Sequence, residues 1–596
     1  VFIISKFPNQ TGIERSRNLA KIAKGRISYI AVLGAVFFMA IQVVATLNLP
    51  SLTSDIVNNG VATGDIGYIW KVGFKMVGFS LISILAAICN VFLASTTSQT
   101  LGKNLRSDIY RKVINFSNDE YDQIETSSLI TRTTNDVVQI QNVGIIMLRM
   151  MLMAPIMLIG ASFLAYTKDH QLTTVFLIVL PVMALFIGFL LYFAVPMFRA
   201  MQTKTDKINR IFREGLTGVR VIRAFRQDQF EQDRFEDANK DYTQNAINVN
   251  VLMALAFPVM TMIMSGTNIA IIWFGAKLIG AQSMQVGNLI AFMTYAMQIL
   301  MSFMMLSMVF IFIPRAQASA KRIQEVLNLH STLKVKENPA TFNPDAPTHS
   351  LKFDHVTYRY RNAEMPALTD IDFEAHSGQT VAIIGGTGSG KTSLINLIPR
   401  FYDVESGKVE LDGINVNDMA LDKLHEAVSL VPQKATLFTG TLRDNMKYGK
   451  DDATDDEIWH ALDIARARDF VEADPAGLDL HVEQGGGNFS GGQRQRLAIA
   501  RALVKQSAVY IFDDSFSALD FKTDAELRAE LRQDAHIQQS ITVIVAQRIA
   551  TVADADLILV LDNGKLVGKG THDELRKTNK VYQEIINSQI RKEDDK

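Results

Sequence analysis

The 596 residues predict a multi-domain chain: an all-α polytopic membrane domain of six helices, then an α/β domain built around a phosphate-binding loop. Three observations predict it. Apolar runs of roughly 20 residues, enough to cross ~30 Å of hydrocarbon, recur six times before residue 314. Beyond that point short apolar strands alternate with helical patterns, the mark of an α/β sheet. Finally, a glycine-rich loop lies between one such strand and an apolar helix.

The six spans fall at 27–49, 72–95, 143–166, 172–195, 252–276 and 289–313. Pro155, Pro181 and Pro258 lie inside spans, where neighbouring helices can satisfy the freed carbonyls. Lys and Arg set the orientation. Arg15, Arg17, Lys21, Lys24 and Arg26 precede the first span, and basic side chains crowd the second and fourth connections, from Lys103 to Arg132 and from Arg199 to Lys240. The stretch 50–69 has no Lys or Arg. Both termini and both long loops are therefore expected in the cytoplasm, with Trp70 and Trp273 at the outer interface. Helical spacing continues through 98–115 and 201–225 with little Gly or Pro, so spans two to five are expected to run on as helices below the membrane.

Apolar residues make up 48% of the chain and charged ones 20%, and the net charge is −1. That balance gives no electrostatic case for nucleic acid. The single cysteine, Cys89, excludes an intramolecular disulfide and reads as a small apolar residue. The first apolar run is too long, and follows too many charges, for a cleaved signal peptide. Val1 rather than Met opens the chain, as expected of a sequence that starts further upstream.

Methionines mark the third span (Met147, Met150, Met151, Met153, Met157) and form a helical stripe on the last (Met293, Met297, Met301, Met304, Met305, Met308). Such a stripe suits helix packing or lipid contact, and equally a surface that repacks around varied apolar ligands. Arg149, near the cytoplasmic end of its run, suits snorkelling better than ligand binding.

A polar stretch with Pro339, Pro344 and Pro347 reads as a linker. The expected partition is a cytoplasmic segment to residue 26, a membrane domain 27–320, a linker 321–350, a nucleotide-binding domain 351–590 and a tail 591–596. Strands are expected at 351–360 and 380–384.

Gly385-Gly386-Thr387-Gly388-Ser389-Gly390-Lys391-Thr392 matches G-x-x-x-x-G-K-[ST] in the strand-to-helix setting that gives the motif its meaning. Its backbone amides and helix N-terminus cradle phosphate, Lys391 reaches the β- and γ-phosphates, and Thr392 ligates Mg²⁺. Ser393 follows at the start of the same helix. Downstream, the apolar run 509–512 ends in Asp513, a second Mg²⁺ contact.

Phe489-Ser490-Gly491-Gly492-Gln493 narrows the assignment. With the six preceding spans it resembles the ATP-binding-cassette (ABC) family, whose signature has Leu where this chain has Phe489. The resemblance covers essentially the whole chain and implies an exporter of two membrane and two nucleotide-binding domains, the latter with a helical subdomain. It further implies hydrolysis of Mg-ATP by a dimer, with Ser490, Gly491, Gly492 and Gln493 closing over ATP held by the other subunit. By the same resemblance Tyr360 stacks on adenine, although Tyr358 lies close enough to compete. Gln433 senses Mg²⁺, Asp520 belongs to the D-loop that communicates across the dimer, and 116–136 and 214–225 hold the loops that couple the domains.

Two positions depart from the family pattern. The catalytic glutamate is replaced by Asp514, one methylene shorter, and a displacement near 1 Å can cost ~10²-fold in rate. The histidine that meets the γ-phosphate is replaced by Gln547, which donates a hydrogen bond without charge. An intact nucleotide loop and signature with a weakened catalytic pair resemble one subunit of bacterial heterodimeric multidrug exporters. The implied partners are a second half-transporter with the consensus Glu and His, the lipid bilayer of a bacterial inner membrane, and a small amphipathic substrate. A lipid or peptide exporter on the same scaffold, or a non-transporting regulator or channel, are the alternatives; a soluble ATPase with a membrane anchor needs only one span.

Overall fold

The computed structural model describes residues 22–594 except 334, 335, 337, 344 and 345, and the side chains of 307–315 and 590–594 lie outside it. Arg15, Arg17 and Lys21 fall outside the described residues, as does the side chain of Met308. The chain divides into two compact units, one holding residues to Ile114 and Ser127–Asn328, the other Asn115–Thr126 and the chain from Leu329 onward.

In the first unit six helices are long and apolar enough to cross a membrane: Tyr29–Val61, Ile66–Ile114, Thr126–Lys168, His170–Ala224, Asp228–Gly280 and one starting at Val286. The second to fifth run well past the hydrocarbon length, since 55 residues at 1.5 Å each reach about 80 Å. Pro50, Pro155, Pro181, Pro196 and Pro258 all lie inside helices. The sixth helix extends to Asn328, beyond residue 320, where the linker was expected to begin. The continuation is anchored by apolar spacing, because Ala316, Ala320, Ile323 and Val326 are all fully buried.

Aromatic and aliphatic side chains fill the bundle's main core, with Phe176 stacked on Phe292 at 5.5 Å. Tyr295 is buried there and donates to Leu47 O at 2.9 Å, so the phenol end of the ring is satisfied. Trp70 and Trp273 are exposed, and Lys277 sits 5.4 Å over the Trp273 ring. Arg149 is exposed on a π-helical turn, Met147–Met151.

A second π turn, Arg132–Asp136, lies nearer the start of the same helix and carries a buried charge. Asp136 is 2% exposed and accepts from Ser319 Oγ at 2.8 Å and Arg322 Nε at 2.7 Å. Arg132 in turn donates to Arg322 O at 2.9 Å. The start of the third helix is thereby fastened to the C-terminal part of the sixth. A buried carboxylate left without its guanidinium is costly, so this clamp holds as a unit.

The second unit centres on a ten-stranded sheet. Five strands are parallel in the order Val428–Val431, Val509–Asp513, Ile541–Val545, Thr380–Gly385, Leu557–Asp562. They are almost continuously apolar because both faces are covered. Beyond them lies an antiparallel part that includes Ser350–Tyr358 and Leu368–His376, paired from Ser350↔His376 to Tyr358↔Leu368. Helices 455–464 and 491–504 pack in one core with one face of the parallel strands, through Ile384, Tyr510, Phe512, Ile544 and Val560. The C-terminal helix runs to Asp594, past the expected boundary at 590.

The Asp136 clamp predicts strong coupling. Asp136→Ala and Arg322→Ala should each lower the melting temperature of the purified protein. Their double-mutant cycle should show a coupling of roughly 0.5–3 kcal/mol; additive effects would contradict the clamp.

Candidate functional site

Val545 pairs with Ile383 on one side and with Asp513 on the other, so three parallel strands end side by side. Ligands of open α/β sheets bind at such carboxyl ends. Four of the segments singled out from sequence leave from this edge: the loop after Thr380–Gly385, Asp513-Asp514, Gln547 and, one strand further out, Gln433 after Val428–Val431.

The glycines of the loop are needed where they stand. Gly388 and Gly390 take φ of +83° and +100°, and a Cβ on Gly385 would meet Leu561 O at 2.2 Å. Lys391 Nζ donates to Gly385 O and Gly386 O at 2.9 and 2.8 Å, spanning the mouth of the loop. Burial lowers its proton affinity, against the pull of Asp514 and Asp513. Ser389 is 4% exposed, yet its hydroxyl has no hydrogen-bond partner among the described residues. An orphaned hydroxyl beside a lysine and open amides fits a group rich in acceptor oxygens, as a polyphosphate is.

Thr392 Oγ1 lies 3.3 Å from Asp513 Oδ2. Burial pushes the Asp513 carboxyl up, countered by the Thr392 bond and by Lys391. A buried carboxylate beside a hydroxyl, both hard oxygen donors, fits Mg²⁺. Asp514 has a φ of +49°, which Asp tolerates better than most residues. Its Oδ2 accepts from both Gln433 Nε2 at 3.2 Å and Gln547 Nε2 at 2.9 Å. The carboxylate is thus held between two neutral amides. No histidine and no glutamate contacts it among the described residues.

Tyr360 bonds through its hydroxyl to Ser393 Oγ at 2.9 Å. Tyr358 is 2% exposed in the sheet core, whereas Tyr360 is only half-buried and is flanked by Tyr358 and Tyr402. Ser490 caps the helix Gly491–Val504 through a capping box: its Oγ accepts from Gln493 N at 3.2 Å, and Gln493 Oε1 accepts from Ser490 N. That helix begins at the signature itself, leaving Gly491 exposed with open space where a Cβ would be. Among the described residues no hydrogen bond joins 490–493 to the glycine loop. Asp520 caps the helix Phe521–Gln533, and its bonds from Thr523 hold its carboxyl low.

Two features escaped sequence reasoning. Gln589 brackets the Gln547 segment, donating to Gln547 O at 2.7 Å and accepting from Ile549 N at 2.9 Å. A glutamine on an amphipathic helix carries no signal of this. The short helix Asn118–Gln123, from the connection between the second and third long helices, belongs with the nucleotide-binding unit. Its Glu120 is fully buried and accepts from Ser117 N at 3.0 Å and Thr332 N at 3.1 Å, while Tyr402 donates to Asp122 at 3.2 Å. The membrane domain expected over 27–320 is therefore interrupted, because Asn115–Thr126 packs by these long-range bonds on the other unit.

Comparison with known proteins fits this geometry. Residues 32–303 match the model of the ABC transporter transmembrane region, and residues 368–517 that of the ABC transporter. An ABC transporter ATP-binding protein of Mycobacterium tuberculosis is 42% identical over 92% of this chain and 94% of its own length. The chain belongs to the ABC transporters. As an ABC transporter it is a multi-pass membrane protein with an ATP-hydrolysing domain. A multidrug resistance ABC transporter ATP-binding and permease protein of Lactococcus lactis is 27% identical over 99% of this chain and 98% of its own. The fold is that of a bacterial Atm1-family ABC exporter solved with ATP bound, at a TM-score of 0.75 and 24% identity, covering 94% of this chain and 99% of that one.

Lys391→Ala should weaken binding of a fluorescent ATP analogue at least tenfold, about 1.4 kcal/mol, while Asp514→Ala leaves it nearly unchanged. Equal losses would mean that Asp514 holds nucleotide.

Proposed function

We propose that this ABC transporter is one half of a heterodimeric exporter of amphipathic compounds, in a bacterial inner membrane with both termini in the cytoplasm. Its own nucleotide site binds ATP and hydrolyses it slowly. The observation that carries this reading is the setting of Asp514: a shortened carboxylate whose Oδ2 is shared by the amides of Gln433 and Gln547. A general base must reach the proton it takes. Asp514 is drawn back by one methylene and has its outer oxygen occupied by two donors. Gln547 brings no charge to where negative charge develops on the γ-phosphate.

Binding is supported where hydrolysis is not. Gly385, Gly388, Ser389, Gly390 and Lys391 cradle the phosphates, Ser393 steadies Tyr360 for the adenine, and Thr392 and Asp513, with Gln433, hold Mg²⁺. The ion, when bound, neutralises phosphate charge; the chain's own residues orient the nucleotide and exclude water. Ser490, Gly491, Gly492 and Gln493, with Asp520 beside them, present an exposed helix N-terminus to ATP held by the other subunit.

A partner is also supported by the hairpin of the fourth and fifth helices. Around its cytoplasmic turn Leu216, Val221, Phe225 and Phe230 are each at least 60% exposed. Contiguous apolar surface of this kind marks a protein interface, and a second subunit's nucleotide-binding domain is the surface we assign to it. ATP-driven closure of the two cassettes moves these hairpins and turns the membrane domain outward; hydrolysis at the partner's complete site resets it.

Single-turnover trapping of nucleotide in the two-chain complex tests the asymmetry. ATP should persist at Lys391 while ADP forms at the partner's site; equal hydrolysis at both would overturn the proposal. Gln547→His should add a pH limb near 6.5, the ordinary histidine range, to turnover that in the wild-type site is flat between about pH 6 and 8.

A further inference from the structure

Between the third and sixth helices lies a cavity of about 200 Å³ lined by five methionines: Met153 and Met157 from one, Met297, Met301 and Met305 from the other. It is somewhat larger than the apolar cavity of about 150 Å³ that admits benzene in another protein, so it has room for one or two fused rings. Among the described residues no charged side chain lines it. Thr294 and Ser302, also in the wall, spend their hydroxyl protons on their own helix, at Ile290 O and Gln298 O. Gln298 is different. Its side-chain carbonyl oxygen is buried and has no hydrogen-bond partner among the described residues. Met297 is steadied from the fifth helix by Asn268, whose amide lies 3.9 Å from the sulfur.

Each feature restricts the ligand. Thioethers make favourable contacts with aromatic rings and adapt to irregular shapes. A wall without countercharge excludes an ionised group, which would lose its hydration for nothing. A buried acceptor without a donor is itself costly, and a ligand O–H or N–H relieves it. From these we infer that the cavity is a substrate subsite for an uncharged aromatic moiety of one or two rings carrying a single hydrogen-bond donor, received by Gln298 Oε1. This names the substrate class of the exporter proposed above and rests on that reading. Arg149, one turn nearer the cytoplasm and absent from the wall, takes no part.

Equilibrium binding of 2-naphthol to the full chain in lipid nanodiscs, corrected with empty nanodiscs, tests the subsite without transport. Saturable binding is expected, at least tenfold tighter than for 2-naphthoate, 2-naphthylmethylammonium or saturated decahydro-2-naphthol. Ala154→Leu, which fills the cavity from the third helix, should abolish it. Gln298→Leu should weaken 2-naphthol at least fivefold yet leave 2-methylnaphthalene unchanged, a selectivity that misfolding cannot produce. Absence of saturable binding, equal affinity for the charged analogues, or indifference to both substitutions would overturn the subsite. If amphiphiles still stimulate the two-chain ATPase in that event, export stands and only the subsite falls.

Discussion

The level ending of three parallel strands is the constraint on which the nucleotide site depends. Because Ile383, Val545 and Asp513 share one register line, the phosphate loop, the two acidic residues and the Gln547 segment leave the sheet together. No one of these segments makes a site by itself. The strands are locked by apolar side chains on both faces, and a one-residue slip would reverse every one of them. The buried core thus fixes where the polar edge stands.

What that edge does depends on small differences in reach and charge. Thr392 Oγ1 and Asp513 Oδ2 lie side by side as two hard oxygen donors, and the buried Ser389 hydroxyl has no partner among the described residues. Asp514, next along the chain, is instead tied by two amides. Binding needs only the first set and rapid hydrolysis needs the second. A chain can therefore keep nucleotide affinity while losing turnover, and its exposed signature helix remains free to serve another site.

The nucleotide-binding unit also holds part of what precedes it in sequence. Glu120 ties the helix Asn118–Gln123 to Thr332, and Tyr402 links Asp122 to the aromatic group that contains Tyr360. The short helix is thus held within its unit by two polar connections, and one of them, Asp122 to Tyr402, reaches a residue packed against Tyr360. In the other unit, Asp136 fixes the base of the third helix to the sixth just before the chain leaves it. Buried ionic groups of this kind specify arrangement more than they add stability.

Much of this was legible in the sequence, for identifiable reasons. Six apolar runs and a 3.6-residue period are local signals, and the structure has six such helices, the second to fifth running well past the hydrocarbon length as the spacing implied. The glycine loop and Asp513 are short motifs in a strand context, and the structure brings them together with Gln433, Asp514 and Gln547. Contacts between distant residues were not legible. Glu120 meets Thr332 and Gln589 meets Gln547 without leaving any periodicity. The strand Leu368–His376 carries its signal as alternation, Ile371, Phe373 and Ala375 buried between charged neighbours, and the sixth helix outlasted its apolar segment because Ile323 and Val326 keep the helical phase. The central claim is that Asp514 makes a poor base. Mg-ATP turnover by the purified chain alone, beside Asp514→Glu and beside a complex with a second half-transporter, tests it most directly. Slow turnover alone, a rise with Asp514→Glu and a rise of at least tenfold in the complex are predicted; rapid turnover by the unaltered chain, indifferent to Asp514→Glu, would contradict it.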